Sequence, residues 1–144
     1  ISKKEVIFHN NKKKESLIKT IIRDGYLILL NYIVNQYCMY PKITKIAAEY
    51  GQLHILKWAR ENGCEWDKWT CVNAAKNGHL ETLQWAWENG CKWDKWTCAY
   101  AAENGHLPIL VWARENGCQW KKQDCLLRAQ KYPEIIKWIN SQKD

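Results

Sequence analysis

The sequence predicts an all-α protein, a short solenoid of helix-turn-helix repeats about five units long in which each unit rests on the next. Three observations predict it. A set of residues recurs every 27 positions: Gly51, Gly78 and Gly105; Trp58, Trp85 and Trp112; Cys64, Cys91 and Cys118; Trp66, Trp93 and Trp120. Each unit holds two apolar stretches at helical spacing, and each stretch is closed by a glycine. The units at both ends are degenerate, as the water-facing ends of a solenoid are.

From the N-terminus, residues 1–16 form a basic segment or cap in which Val6, Ile7 and Phe8 suggest partial burial. A weak unit follows at 17–42, with Gly25, Leu27, Tyr32, Cys38 and Tyr40 in the matching slots. The full units are ITKIAAEYGQLHILKWARENGCEWDKW (43–69), TCVNAAKNGHLETLQWAWENGCKWDKW (70–96) and TCAYAAENGHLPILVWARENGCQWKKQ (97–123). A truncated unit at 124–144 keeps Cys125, Ala129 and Trp138 in register and replaces the Gly-His pair with Tyr132-Pro133. Within the second full unit, Asp67 or Thr70 caps a first helix that runs through Ala74 and Ala75 and stops at Gly78. His79 opens a second helix carrying Leu80, Leu83, Trp85, Ala86 and Trp87, which Gly90 ends. Helices this short are marginal in water alone, so each unit needs its neighbours.

The resemblance becomes specific at Ala74-Ala75-Lys76-Asn77-Gly78-His79-Leu80-Glu81, which resembles the AAxxGHLE segment of ankyrin repeats. Glu88-Asn89-Gly90-Cys91-Lys92-Trp93-Asp94 is similar to the family's ENGADVN segment, and Thr70-Cys71 and Thr97-Cys98 stand where ankyrin repeats carry Thr-Pro. The match covers residues 17–144, and the short Trp- and Cys-rich unit resembles ankyrin-type repeats of protists and of their large DNA viruses. An ankyrin unit has about 33 residues, so this one is about six shorter. The loss falls mostly between Asp94 and Thr97, where the family carries a β-hairpin finger and this chain has only Lys95 and Trp96. The resemblance therefore implies reduced or absent fingers, and binding by the first-helix face and short turns.

Composition narrows the function. The net charge of +7 is concentrated at the N-terminus, where residues 1–42 carry eight Lys or Arg against three acids. Residues 43–123 are almost neutral, with ten against nine, so no basic face runs the length of the protein. No apolar run approaches the roughly 18 residues that span a bilayer. The opening ISKKEVIFHNNKKKES has no apolar signal-peptide core, and the chain begins at Ile1 as a fragment or processed piece does.

Candidate sites reduce mostly to scaffold. Each Cys pair such as Cys64 and Cys71 is separated by six residues, which does not match the C-x₂₋₄-C spacing of structural zinc sites. Equivalent Cys in adjacent units would lie about 8–10 Å apart, too far for a disulfide. They read as small reduced core filler, which implies an intracellular, reducing compartment, the host cytoplasm or a virion if the chain is viral. The Trp ladders (58, 85, 112, 138 and 66, 93, 120) read as packing between units. His79 and His106 recur with the repeat and read as turn braces, and Lys12-Lys13-Lys14 as solvated charge or a localisation or nucleic-acid contact. No Walker loop, Rossmann glycine pattern or HExxH occurs, so no catalytic residue, metal or cofactor is expected.

Recognition is expected where the repeat varies. On the first helices the variable slots include Lys45, Ile46 and Glu49; Val72, Asn73 and Lys76; and Ala99, Tyr100 and Glu103. Beside them Lys68 and Lys95 stay basic next to Trp69 and Trp96, as does Lys122 at the next turn. This surface points to a non-enzymatic adaptor or scaffold that binds another protein. The alternatives are a nucleic-acid-binding module using the basic N-terminus and turn lysines, or a structural component of a viral particle.

Overall fold

The computed structural model describes residues 11–34 and 42–143. The Val6-Ile7-Phe8 stretch and the Cys38 and Tyr40 slots lie outside the described residues. Ten helices and no strand are found among the described residues, arranged as five helix pairs. The first pair is α1 (Asn11–Arg23) and α2 (Leu27–Ile33). The second is α3 (Ile43–Glu49) and α4 (Leu53–Glu61), followed by α5 (Lys68–Lys76) and α6 (Leu80–Glu88). The fourth is α7 (Lys95–Glu103) and α8 (Leu107–Glu115), and the last is α9 (Lys122–Arg128) and α10 (Pro133–Ser141).

Asp67, not Thr70, starts the first helix of its unit. Its backbone is extended and its carboxylate accepts a hydrogen bond from the Trp69 amide at 2.9 Å, while Asp94 does the same for Trp96 at 3.0 Å. Both caps satisfy a donor that the first turn of a helix leaves orphaned. A consequence corrects the expected turn: Lys68 and Trp69, like Lys95 and Trp96, are the first helical residues of α5 and α7. The connections between units are instead residues 62–67, 89–94 and 116–121, and they contain no strand.

Glycine closes seven of the ten helices, α1 and α3 to α8. After α5, Gly78 sits at φ 82, which lets its own N–H reach the Ala75 carbonyl and the His79 N–H reach Ala74 at 2.9 Å. These paired bonds satisfy two carbonyls at the helix end, and they need the left-handed backbone that glycine adopts at little cost. After α6 the same device recurs, with Gly90 bonded to Trp87 and Cys91 to Ala86.

Size of the side chains decides how the pairs stack. First helices pack directly on one another, α1 on α3, α3 on α5, α5 on α7 and α7 on α9. Their shared face is lined by fully buried small residues: Ala47, Ala48, Cys71, Ala74, Ala75, Cys98, Ala101 and Ala102. Small residues let backbones approach closely. The second helices stay farther apart, and Trp58, Trp85, Trp112 and Trp138 fill the space between them as half-buried wedges against the core. The first helices therefore form the more closely packed side of the stack.

The thiol expectation needs one correction. Cys71, Cys91, Cys98, Cys118 and Cys125 are buried free thiols, but Cys64 is in a disulfide. The spacing argument used the distance between packed helices, whereas Cys64 sits in a connection whose position that distance does not fix.

Candidate functional site

The repeat slots first sort into residues that join units and residues left to face solvent. His79 belongs to the joining set. Its Nε2 lies 3.0 Å from the Glu49 carbonyl of the preceding unit, and His106 stands at the same distance from the Lys76 carbonyl. Gln52 fills the slot one unit earlier and donates to the Arg23 carbonyl at 2.6 Å. Neither histidine side chain makes a capping bond to its own helix; each is a latch between units.

Trp residues form a second set of joints. Each loop Trp meets the second-helix Trp of the next unit edge to face: Trp66 on Trp85 at 5.9 Å, Trp93 on Trp112 at 5.5 Å, Trp120 on Trp138 at 6.0 Å. Arg60 covers the open face of Trp66 at 4.2 Å, and Arg114 covers Trp120 at 4.6 Å. In the middle unit Trp87 holds the arginine slot and stacks on Trp93 at 5.1 Å. Alignment of the units at 27 residues shows this exchange directly, although its purpose needs the third dimension.

Thiols form the third set. The Cys71 thiol donates to the Cys91 carbonyl at 3.8 Å and the Cys91 thiol to the Asp67 carbonyl at 3.4 Å. The neighbouring Cys91 thiol and burial push Cys71 well above the ordinary thiol range, while the neighbouring Cys71 lowers Cys91. Cys98 is raised in the same way by Cys118. Burial, helped by the Asp124 charge, pushes Cys125 up to about 11. No group of three or more potential ligands that would hold a metal occurs among the described residues.

What remains is the first-helix face, where the expected binding residues divide into two clusters. The first lies at the C-terminal end. The Trp96 and Tyr100 rings stand 5.8 Å apart, Lys76 lies 5.4 Å over Tyr100, and Lys95 lies 5.4 Å over Trp96. Arg128 of α9 supplies the central cation, 5.2 Å from Trp96 and 5.6 Å from Tyr100. Glu103 at 2.6 Å and Asp124 at 3.1 Å hold its guanidinium in place. Sequence comparison missed Arg128 because the last unit reads as a cap.

The second cluster is a groove at the N-terminal end. Lys12, Ser16 and Lys19 line it from α1, Lys42, Lys45 and Glu49 from the start and body of α3, and Asn73 from α5. Positions 12, 16 and 19 follow helical spacing, so they form one stripe of α1. Lys19 pairs with Glu49 at 3.5 Å, Lys42 with Glu15 at 3.3 Å and Lys45 with the capping Asp67 at 2.9 Å. The Glu49 carboxylate raises Lys19 above its ordinary value.

Not every expected residue is accessible. Ile46 is only 7% exposed and packs into the core. Lys68 bridges to Asp94 of the next unit at 2.8 Å, while Trp69 beside it is exposed. The basic α1 stripe lay outside the comparison of full units, yet its spacing was readable. No helix among the described residues is long and apolar enough to cross a membrane. No protein-family model matches the chain, and no curated protein matches it in sequence.

Proposed function

We propose that the chain is a non-enzymatic adaptor or scaffold of ankyrin-like repeats that holds another protein across its first-helix face. The observation that carries this reading is the Trp96–Tyr100–Arg128 cluster. Aromatic and arginine side chains dominate binding hot spots, and these sit on short rigid helices with the guanidinium already oriented by Glu103. Histidines occupied as latches and thiols buried in the stack favour a scaffold over a catalyst. Nucleic-acid binding is the second reading, favoured by α1, whose sequence NKKKESLIKTIIR carries five basic residues and one acid.

Partner capture from native cells by crosslinking, compared between wild type and Tyr100→Ala, Asn73→Ala and Trp96→Ala, tests the adaptor reading. Each loss is expected to weaken the partner by about tenfold or more. Tyr100→Ala and Asn73→Ala should leave the melting temperature little changed. Trp96→Ala, which removes a ring that also packs against the core, should lower it and is compared at a temperature where it stays folded. Variants that unfold while capturing nothing that the wild type captures specifically overturn it.

A further inference from the structure

We propose that the groove between α1 and α3 seats an acidic peptide segment of the partner protein, an inference that rests on the protein-binding reading above. Charge complementarity is the first argument. The groove gathers four lysines against two glutamates, in a chain whose excess positive charge lies at the same end. A partner carrying carboxylates is steered there from a distance.

Lys19 and Lys42 are oriented but not used up. The Lys19 and Lys42 side chains remain 48% and 58% exposed while bridging to Glu49 and Glu15 at 3.5 and 3.3 Å. Exposed pairs of this kind are worth little, so each ammonium can exchange its partner for an incoming carboxylate at small cost. Lysine suits such an exchange because its ammonium is a compact point charge with rotatable donors.

The same carboxylates select the kind of anion. A nucleic-acid backbone carries a phosphate at every nucleotide and would bring charge against Glu15 and Glu49 as well as against the lysines. An extended peptide presents successive side chains to opposite faces and can set neutral residues opposite Glu49. Asn73 stands at the far wall, bonded to the Lys45 carbonyl at a long 3.4 Å. An amide there is suited to a peptide backbone, which offers both a donor and an acceptor.

The test uses the full chain and a fluorescent peptide of about ten residues with Glu at every fourth position among Ala, so that Glu and Ala alternate along one face. At about 3.3 Å per residue it is long enough to cross helices packed about 10 Å apart. Anisotropy should report saturable binding at low ionic strength that weakens between about 0.05 and about 0.5 M salt. Reversing Lys19→Glu together with Lys42→Glu should cost on the order of tenfold in affinity. Glu49→Lys should tighten binding, and Lys131→Glu, at the opposite end of the stack, should leave it unchanged. Circular dichroism of each variant separates lost binding from lost folding, and the gain expected from Glu49→Lys does not depend on damage. Absence of binding, or equal loss in Lys131→Glu, overturns the proposal. So does tighter, groove-dependent binding of a single-stranded oligonucleotide, which would favour nucleic acid. If the peptide fails while Tyr100→Ala still abolishes partner capture, the adaptor stands and only the acidic specificity falls. Failure of both removes the first-helix face as a binding surface.

Discussion

At the scale of single residues, the pairing of a glycine with the histidine of the next unit sets the stacking distance. A methyl group on Gly78 would sit 2.8 Å from Cε1 of His106, and the backbone there is at φ 82. Gly90 has a similar φ of 90 but nothing within 4 Å of the same position. Gly90→Ala should therefore cost about 1 kcal/mol, from backbone strain alone. Gly78→Ala should cost at least about 2 kcal/mol, since the added carbon also displaces the latch. Urea denaturation of the two variants checks this, and equal losses would mean that the ring gives way freely. The glycines were legible as helix stops, because chain direction and periodicity suffice to place a stop. The latch was not, because the histidine's acceptor lies 30 residues back, on a carbonyl that only the stacking offset brings near. Tyr132 in place of His also closes over Gly105, so bulk at the slot matters beyond the hydrogen bond.

At the scale of elements, the second helices and their loops are interchangeable parts with one deliberate exchange. Arg60 stacks on Trp66 and donates to the Cys64 carbonyl at 2.6 Å, and Arg114 repeats both contacts with Trp120 and Cys118. Trp87 keeps the stack but has no guanidinium to make the second bond. Trp87→Arg should stay within about 1 kcal/mol of wild type, because cation–π and hydrogen-bond gains offset the lost ring pairs with Trp93 and Trp112. Trp87→Ala, by contrast, should cost about 2 kcal/mol, less than a fully buried Trp because the ring is half-exposed. Chemical denaturation that found the two variants equally damaged would show that the slots are not equivalent. The elements themselves were largely readable from period and punctuation. Boundaries failed where a cap decided them: Lys95 and Trp96 looked like a turn until Asp94 was seen to start the helix before them. The groove was only half legible, since Lys45, Glu49 and Asn73 vary between full units while Lys12 and Lys19 belong to a helix with no regular counterpart.

At the scale of the whole molecule, the stack divides its chemistry between a thiol-lined interior and a charged first-helix face, and pH reaches the two differently. Cys125 is fully buried, and its pKa is pushed from 9.0 up to about 11, first by burial and then by Asp124. A group that holds its proton more tightly folded than unfolded contributes stability that is complete below the unfolded value. That contribution is lost as pH rises through the folded value. The window here is therefore from about 9 to about 11. Cys71 and Cys98 are shifted the same way by their thiol partners and burial, while Cys91 moves in the opposite direction. Cys125, shifted chiefly by burial, is the cleanest probe. Between pH 9 and 11 the urea midpoint of the wild type should fall more steeply than that of Cys125→Ala, whatever the variant costs at neutral pH. Lysine titration on the surface is common to both proteins and cancels in the comparison. Parallel alkaline slopes would mean that the thiol ionises inside the stack without penalty, and that the interior is wetter than its burial implies.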